Sequence, residues 1–482
     1  MTYRAAIVGA GIVGSAVARE LTRYEEFDVL IIEKEYDVGW GTSKANTGII
    51  HAGYDDEPEK YPRRAKLCRI GNELWHELSR ELQVPVEWCG ALVLAFDERD
   101  RGVLRGLLSR GRENKVPSLE IIEGDFCSDL ESNISKDVVE GLWAPTSGII
   151  TPYEAVIALM ENAVDNGARL HLETLARQIV VRDGTVVGVD TDEGFLEADI
   201  VINAAGMYGD RLSRTAGISD FSIRPRKGEY LLFDRDVTPK VHMTLFHTPQ
   251  PTTKGVVVTP TTEGNLLVGP NAKDVKEYER DATMTTRDGL DEVWEGASRL
   301  VAKLPRRNMA MRTFAGLRPE PNHGDFIVEA YEKPEGLVNC VGTRSPGLTS
   351  APAIAREVVK LLKERDFKLT MREKWKSSRE AIRKFRLVPS QEKDGLVSSD
   401  ASYGKIACAC EMVTEAEIKE AIKRGARTFD SVKFRTRAGM GRCQGSFCLA
   451  KVLALLSQEM GEPPEAIMLK GKGSNIVHGP IR

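Results

Sequence analysis

Four cysteines near the end of the chain have the spacing of a metal centre. They form two close pairs, Cys408-x-Cys410 and Cys443-x4-Cys448, whereas the other four of the eight cysteines are scattered singly. Thiolates in two such pairs can surround one soft ion or a small iron-sulfur cluster, and nearby arginines would offset the charge. Zinc, which more often uses a Cys-x2-Cys unit, and four unligated buried thiols are the alternatives. The pattern favours an electron-transfer cluster.

The N-terminal segment carries a pattern typical of a dinucleotide site. A strand-like run leads into Gly9-x-Gly11-x-x-Gly14 and a helix-like run, and a second strand-like run ends at Glu33. Gly9 permits a tight turn, Gly11 lets a pyrophosphate approach the backbone, and Gly14 lets helix and strand pack closely. The carboxylate of Glu33 would accept hydrogen bonds from both ribose hydroxyls. The pattern predicts a bound dinucleotide and leaves open whether it is FAD or NAD.

The elements that must position these groups can be traced along the chain. Residues 151–167 have the period of an amphipathic helix, and residues 169–202 alternate like strands around Asp183-Gly184, which is a hairpin signal. Residues 366–402 are charged and periodically broken, as is typical of a linker. We therefore expect an α/β arrangement followed by a separate cysteine-bearing domain.

Composition limits the class of protein. Charged residues make up 29% of the chain and hydrophobic residues 41%, which is ordinary for a globular protein of several domains. The net charge of -4, without a basic stripe, argues against a nucleic-acid partner. Long apolar runs and a cleavable leader are both missing from the sequence, so we expect a cytoplasmic protein with no transmembrane segment.

The segment after the second predicted strand carries a specific resemblance. Residues 39–53, GWGTSKANTGIIHAG, are similar to the second flavin-contacting segment of the D-amino-acid-oxidase-like FAD oxidoreductases, and the pattern of that family recurs at residues 198–210 and 337–349. The resemblance implies FAD rather than NAD. The residues that motif and resemblance together assign to FAD are Gly9, Gly11, Gly14, Glu33, Ser43, Lys44, Asn46, Ala176, Ala205, Gly206, Gly342, Gly347, Leu348 and Thr349.

The fold implied by this resemblance is α/β, with a discontinuous Rossmann-like FAD-binding domain, an inserted mixed-sheet substrate domain and a small helical C-terminal [2Fe-2S] domain. The implied boundaries are 1–83, 146–220 and 311–365 for the FAD-binding domain, 84–145 and 221–310 for the substrate domain, 366–402 for the linker, and 403–482 for the [2Fe-2S]-binding domain and tail.

Within the family, the chain most resembles the GlpA-like anaerobic glycerol-3-phosphate dehydrogenases. The likeness rests on residues 314–319, FAGLRP, on residues 46–53 and on the cysteine-bearing tail, and it covers essentially the whole chain. In that group the tail is similar to bacterioferritin-associated ferredoxin, which implies a [2Fe-2S] cluster. Its implied ligands are Cys408, Cys410, Cys443 and Cys448.

The chemistry of the resembled enzymes needs a base and a fixed cation. The resemblance places His51 beside the flavin as the candidate base, with an ordinary structural histidine as the alternative and His247 in reserve. Arg318 is the leading candidate to anchor an anion, because a guanidinium offers a planar fork; a surface salt bridge is the alternative. Weaker substrate-binding candidates are Tyr230, His247, Lys254 and Arg344. The resemblance also implies that residues 228–230 line the pocket.

One of these candidates departs from the family pattern. Many relatives carry Ile-Glu-Ser before the last flavin loop, whereas this chain has Thr343-Arg344-Ser345. Exchange of an acid for Arg344 changes the local charge by two units. A guanidinium there would either bind an anion or pair with a nearby acid.

The resemblance predicts oxidation of a small anionic substrate, sn-glycerol 3-phosphate, to dihydroxyacetone phosphate. Electrons would pass from the flavin through the [2Fe-2S] cluster to an acceptor protein, a membrane-associated partner subunit or a quinone-linked carrier. The alternatives are a dehydrogenase of 2-hydroxy acids such as L-2-hydroxyglutarate, an enzyme acting on an amine or imino acid, and an electron-transfer or scaffold subunit without its own turnover. Homo- and hetero-oligomers both remain open, as does a peripheral membrane location through a partner.

Overall fold

The computed structural model describes residues 2–249 and 255–479. The chain forms two compact units, of which the first comprises Met1–Lys34 and Gly39–Ser378. The second comprises Arg379–Arg482 together with Glu35–Val38. A short segment that follows an early strand in sequence is thus part of a unit built otherwise from the C-terminal part of the chain.

Strands and α-helices are interspersed along the first unit, with runs of several strands at residues 169–203 and 223–274. In chain order the strands are β1 (Tyr3–Val8), β2 (Phe27–Ile32), β3 (Ile49–Ile50), β4 (Val86–Glu87), β5 (Ala91–Ala95), β6 (Glu120–Glu123), β7 (Glu140–Ala144), β8 (Gly148–Ile150), β9 (Arg169–His171), β10 (Ala176–Arg182), β11 (Thr185–Thr191), β12 (Gly194–Glu197), β13 (Ile200–Asn203), β14 (Ile223–Phe233), β15 (Thr244–His247), β16 (Val257–Pro260), β17 (Leu266–Val268), β18 (Lys273–Asp274), β19 (Ala310–Pro321), β20 (Ile327–Ala330), β21 (Leu337–Val341), β22 (Ile406–Cys408) and β23 (Val413–Thr414).

The α-helices are α1 (Ile12–Leu21), α2 (Pro62–Glu81), α3 (Glu98–Glu113), α4 (Gly124–Leu130), α5 (Pro152–Asp165), α6 (Gly209–Thr215), α7 (Arg287–Leu300), α8 (Gly347–Glu364), α9 (Ser390–Ser399), α10 (Glu415–Lys423), α11 (Phe429–Thr436) and α12 (Leu449–Met460). In the described parts of the chain, none of them has both the length and the apolarity that crossing a bilayer requires.

A six-stranded sheet carries the glycine motif. Its order is β20-β21-β13-β1-β2-β9, with β20 antiparallel at one edge and the other strands parallel. The last four residues of β1 are buried, as expected for a parallel strand covered on both faces. The β1-α1-β2 unit is the predicted Rossmann-like unit, and this part of the fold prediction is confirmed.

A three-stranded meander, β10-β11-β12, lies outside that sheet. Its first turn is the predicted Asp183-Gly184 hairpin, and both residues have positive φ, 50° and 81°. Positive φ at both central positions is what a type I′ turn requires, and Asp-Gly suits that turn. The predicted helix at 151–167 corresponds to α5.

The first unit also contains a nine-stranded sheet. Most of it follows the order β18-β14-β17-β16-β15-β5-β7-β6, and β14 pairs with β19 along its whole length. Its core packs against α7 through residues such as Leu231, Phe233 and Val293. Residues 311–321 of β19, which the resemblance groups with the FAD-binding segments, are hydrogen-bonded into this sheet. A local sequence pattern identifies a strand but not the sheet that the strand joins.

The first part of the segment 366–402 makes hydrogen bonds with the first unit. Arg372 donates hydrogen bonds to the carbonyls of Tyr24 and Phe27, and the indole of Trp375 donates to the hydroxyl of Thr22. These contacts lie within the first unit, whereas α9 belongs to the second unit.

The second unit is a small helical domain with a two-stranded ribbon, β22-β23. Helix α10 starts with a capping box, in which Thr414 and Glu417 satisfy each other's backbone amides. The buried core includes Ile418, Phe429 and Val452 from α10, α11 and α12. Cys408 and Cys448 belong to the same buried cluster, so the core itself helps to position the cysteine-bearing segments.

Candidate active site and metal centre

The glycine turn after β1 is packed too closely for side chains. Gly9 has φ +104°, and a Cβ atom there would lie 2.4 Å from the carbonyl oxygen of Ala204. A Cβ atom at Gly14 would lie 1.9 Å from the carbonyl oxygen of Gly9. The turn therefore brings the N-terminus of α1 directly against β1 and the segment after β13, which is the geometry that a pyrophosphate-binding turn requires.

Two side chains line this turn. The carboxylate of Glu33, which is 9% exposed, accepts a hydrogen bond of 2.7 Å from the amide of Ala10. The hydroxyl oxygen of Ser43 accepts one of 2.9 Å from the amide of Ile12, in the first turn of α1. The structure thus brings Glu33 and Ser43 together with Gly9, Gly11 and Gly14, although they are distant in sequence.

The other two polar residues predicted near Ser43 have different surroundings. The ammonium group of Lys44 lies 3.9 Å from the centre of the Trp40 ring. The side-chain amide of Asn46 donates to the carbonyl of Ser43, and its oxygen accepts from the amide of Gly48. Asn46 therefore holds the loop in shape, a role that residue type alone does not indicate.

The predicted glycines that follow β13 and β21 differ in the space around them. Gly206 has φ +54° with no atom within 4 Å of a Cβ built on it, whereas Gly342 has φ +67° and a Cβ there would lie 3.0 Å from Pro321. Ala176 and Ala205 are both partly buried and each packs against the same apolar cluster. Gly347 begins α8, whose N-terminus follows β21 and supplies unpaired amides.

These features fit a flavin dinucleotide. Gly9, Gly11 and Gly14 provide a close backbone approach at a helix N-terminus, and Glu33 provides a ribose acceptor. Gly206 leaves open space for the cofactor, and the amides at the start of α8 offer hydrogen-bond donors to its other end. When bound, FAD supplies a two-electron acceptor for hydride.

Gly11 allows a direct test of this cradle. A Cβ atom there would already lie 3.1 Å from the hydroxyl of Ser43, so a larger side chain would enter the pyrophosphate position. We expect Gly11→Leu to weaken FAD retention by about tenfold or more, measured as flavin released by acid per chain. Gly102→Leu, at an exposed position of α3 with open space around it, is the matched control. Equal FAD content in both variants would contradict the assignment.

His51 lies at the end of the segment that carries β3. Its amide donates to the hydroxyl of Thr349, 2.9 Å away, and its Nδ1 accepts from the amide of Gly53 at 3.0 Å. The ring lies beside Tyr54, with 4.6 Å between ring centres. Because Nδ1 is an acceptor, the neutral ring carries its proton on Nε2. The structure thus brings His51 to the start of α8.

Arg318 is a half-buried cation without a carboxylate ion pair in the described parts of the chain. Its Nη2 donates to the carbonyl of Asn271, 2.6 Å away, and burial lowers the pKa of the guanidinium. Tyr230, which is 3% exposed, stacks on Phe314 with 4.6 Å between ring centres. Burial raises the pKa of Tyr230, whereas the positive charge of Arg318 opposes that increase. Tyr230 and Arg318 therefore share one face of the β14-β19 pair.

This face lies against the flavin-contacting loop. A Cβ atom at Gly316 would lie 1.9 Å from the carbonyl oxygen of Ala45, so β19 and the loop touch through their backbones. The hydroxyl of Tyr230 is hydrogen-bonded with Thr47 of the same loop. Arg318 is thus carried on a strand that contacts the segment leading to His51.

Arg344 pairs with an acid. Its Nε lies 2.7 Å from an oxygen of Glu320, and both side chains are largely buried. The contact is an ion pair rather than an aligned hydrogen bond, because Nε of Arg344 and Oε1 of Glu320 have no hydrogen-bond partner in the described residues. Of the two outcomes left open by the sequence, the structure shows the acid partner.

Two substrate-binding candidates remain, His247 and Lys254, and the structure describes only the first. His247 donates from Nε2 to the carbonyl of Gly296 in α7 at 2.8 Å, and burial lowers its pKa. This contact gives His247 a structural role at α7. Lys254 lies outside the described residues.

The residues that hold Arg318 in place were not predicted from the sequence. Asn271, whose carbonyl accepts from Arg318, donates its side-chain amide to Glu229 and accepts from the amide of Glu229. Glu229 is fully buried and also accepts from the amide and hydroxyl of Thr286, which caps α7. Glu229 therefore faces away from Tyr230 and holds α7 and Asn271 in place. Strand alternation around Tyr230 is the signal that could have indicated this.

The four predicted ligands form two pairs in the second unit. Sγ of Cys410 and Sγ of Cys443 lie 3.6 Å apart. Cys408 interacts with Cys448, and both are buried, whereas Cys410 is exposed. Each pair joins one cysteine from each end of the motif. Gly441 is required beside them, because a Cβ atom there would lie 2.4 Å from Cβ of Cys410.

This arrangement fits a two-iron cluster better than a single ion. For metal-sulfur bonds of about 2.3 Å, two thiolates on one tetrahedral ion lie about 3.8 Å apart, which is close to the separation of Cys410 and Cys443. Within the described residues, no three histidine, cysteine or acidic side chains converge as ligands of one ion. Two pairs can each hold one iron of a [2Fe-2S] cluster, which supplies single-electron transfer when bound.

The thiol pKa values depend on these pairs more than on the arginines. The hydrogen bond with Cys448 lowers the pKa of Cys408 to about 6 and raises that of Cys448. Burial raises the pKa of Cys443, but backbone amides from Phe447 and Gly445 outweigh it, so the pKa falls below its usual value. Arg435 and Arg437 are paired with Asp37 and Glu411 inside the same unit, so their charges are already compensated.

Comparisons with known proteins agree with both parts of the structure. The family of FAD dependent oxidoreductases matches residues 4–361, and the BFD-like [2Fe-2S] binding domain matches residues 406–458. A glycerol 3-phosphate dehydrogenase of Caloramator mitchellensis is 42% identical over 482 residues, which are 100% of this chain and 99% of the relative. Subunit A1 of an anaerobic glycerol-3-phosphate dehydrogenase of Haloferax volcanii is 25% identical, over 95% of this chain and 83% of the relative.

Among solved structures, the dithionite-reduced L-alpha-glycerophosphate oxidase of Mycoplasma pneumoniae, with FAD bound, is 32% identical. The match covers 79% of this chain and 98% of that one, with a TM-score of 0.73. The family match spans the glycine turn, Glu33, His51 and Arg318, and the second match spans all four paired cysteines. The chain therefore belongs to the FAD-dependent oxidoreductases, binds FAD, and carries a BFD-like [2Fe-2S] domain.

Proposed function

We propose that this chain oxidises sn-glycerol 3-phosphate to dihydroxyacetone phosphate. The observation that carries the proposal is Arg318, a half-buried guanidinium that has only a backbone carbonyl as partner in the described residues. Its charge has no carboxylate partner to compensate it there, and its planar fork suits phosphate. The names of the two glycerol 3-phosphate relatives and of the glycerophosphate oxidase support the same substrate.

The residues have separate roles in this proposal. Arg318 binds the phosphate, and the contacts of Tyr230 and Gly316 with the flavin loop fix where the rest of the substrate lies. His51 receives the proton of the secondary hydroxyl as hydride leaves the carbinol carbon. Proton uptake at Nε2 requires the ring proton to move to Nδ1, so the amide of Gly53 loses its acceptor. That loss costs about 1 to 3 kcal/mol, less than a positioned base contributes.

We further propose that electrons leave through the second unit to a separate acceptor. The cysteine pair Cys410 and Cys443 includes the exposed cysteine of the four, which suits transfer to a partner. The anaerobic relative from Haloferax volcanii is named as a subunit, which supports an acceptor in a larger assembly. Purification of the complex would identify the partner.

Arg318→Ala tests the substrate assignment. Loss of a charge-assisted contact is worth roughly 2 to 3 kcal/mol, so we expect flavin reduction by glycerol 3-phosphate to fall about 30- to 150-fold in kred/Kd. Anaerobic stopped-flow absorbance of the flavin measures it. Both parameters should change, because a displaced anion also displaces the carbinol hydrogen.

Glycerol is the matched substrate control, since it lacks the phosphate and its slow reaction should be unaffected by Arg318→Ala. Arg318→Lys keeps the charge without the fork and should fall between the wild type and the alanine variant. If glycerol reduces the wild-type flavin as well as its phosphate ester does, Arg318 is not an anion anchor.

A further inference from the structure

Glu320 stands between two guanidinium groups on the substrate face of the nine-stranded sheet. Arg318 and Glu320 are two positions apart in β19, so their side chains project from the same face of the strand. Glu320 is 5% exposed, and one of its oxygens lies 2.7 Å from Nε of Arg344. Arg344 belongs to the loop between β21 and α8. This places an acid beside both candidate anion-binding arginines.

The charge of Glu320 acts on both arginines. Burial lowers the pKa of Arg318 and of Arg344, and in each case the negative charge of Glu320 opposes that decrease. The other charges around Arg344 are Arg64, Asp56 and Asp55. Arg64 and Asp56 are buried and paired with each other, so they add little net charge.

The two arginines on this face differ in their partners. Arg226 and Asp274, which also act on Arg318, form an ion pair with each other. Arg318 has no ion pair in the described residues, whereas Arg344 is neutralised. Nε of Arg344, which faces Glu320 at 2.7 Å, has no aligned hydrogen-bond partner in the described residues, so it can donate to another acceptor once Glu320 is removed.

We propose that Glu320 determines substrate specificity by neutralising Arg344, so that the site accepts one compact anionic group and rejects a second, separate carboxylate. The inference rests on the proposed function and deepens it by defining the class of substrate: alcohols with a single terminal anion. A dicarboxylate whose second group approached Arg344 would meet the buried carboxylate of Glu320 at the same guanidinium. Like charges sharing a buried site repel, so this interaction counts against the wrong ligand.

Equilibrium binding to the oxidised holoenzyme tests the proposal without turnover. The probes are inorganic phosphate, which carries one compact anionic group, and glutarate, which carries two separate carboxylates. Isothermal titration calorimetry gives both Kd values for the wild type, Glu320→Gln, Arg344→Gln and the double variant. Glu320→Asp keeps the charge and is the matched control.

We expect Glu320→Gln to strengthen glutarate binding relative to phosphate by about tenfold or more, the value of one charge-assisted contact. The double variant should lose that gain, and Glu320→Asp should keep the wild-type ratio. An unchanged ratio in Glu320→Gln, or a gain that persists in the double variant, would overturn the proposal.

If Glu320→Gln does not fold with FAD bound, Arg344→Gln tests the proposal instead. Because a neutralised Arg344 does not bind the anion, the phosphate Kd of this variant should be within about twofold of the wild-type value. A loss of affinity of about tenfold or more would show that Arg344 itself binds the anion and would overturn the proposal. The proposed function fails separately, if glycerol 3-phosphate does not reduce the wild-type flavin, whatever the binding ratios are.

Discussion

Replacement of His51 by alanine is expected to slow flavin reduction by glycerol 3-phosphate about 100- to 10,000-fold, the contribution of a positioned base. Substrate Kd should stay within about threefold, because a group that acts on the transferring proton stabilises the transition state more than the bound substrate. Anaerobic stopped-flow over a range of substrate concentrations separates the two parameters. His242→Ala, at a side chain that is 81% exposed, is the control for histidine replacement.

The contact between Nδ1 of His51 and the amide of Gly53 makes a second variant informative. Glutamine at position 51 can donate a hydrogen bond but cannot accept a proton at neutral pH. We expect His51→Gln to remain within about tenfold of the alanine variant, since the proposed role is proton acceptance. Recovery of the wild-type rate by glutamine would instead assign His51 the role of a hydrogen-bond donor from Nε2.

Cys443→Ser is expected to remove the iron and acid-labile sulfide of the second unit, which should be near two of each per chain in the wild type. Single-turnover reduction of the flavin by substrate should survive, because hydride transfer involves only residues of the first unit. Electron transfer to an external acceptor should fail. Metal and sulfide analysis of protein purified without oxygen, combined with both kinetic assays, measures these outcomes.

Cys89→Ser is the matched control, since Cys89 is partly buried in the first unit and is not paired with another cysteine. It should keep the full iron content. Stoichiometric zinc without labile sulfide in the wild type would refute the cluster. Because all four cysteines would be needed to hold the cluster, Cys410→Ser and Cys408→Ser should also lose iron and labile sulfide.

The parts of the structure that depend on short segments could be predicted from the sequence. The turn from Gly9 to Gly14, the position of Glu33 and the Asp183-Gly184 hairpin each follow from backbone requirements that a few neighbouring residues satisfy. The FAD and [2Fe-2S] assignments also hold. In these cases the residue type and the local conformation specify each other, so no distant contact has to be known.

Features that depend on distant contacts could not be predicted. The pairing of Arg344 with Glu320 joins a loop and a strand end that only the folded sheet brings together. The sequence pairs Cys408 with Cys410, but the fold pairs each of them with a cysteine from the later motif. The resemblance implies that Glu229 lines the pocket with Tyr230, yet strand alternation directs it to α7, where it is fully buried.

The segment Glu35–Val38 has a consequence for how the chain acquires its structure. These residues leave the ribosome long before the rest of the unit to which they belong. Asp37 can form its buried ion pair only after Arg435 has been synthesised. Domains fold from the N-terminus during synthesis, so the strand that leads to Glu33 can form early while the segment after it cannot. A gene truncated after Ser378 would therefore produce a protein in which Glu35–Val38 lack the residues they pack with. Such a protein would not be a fully folded enzyme that merely lacks the [2Fe-2S] cluster.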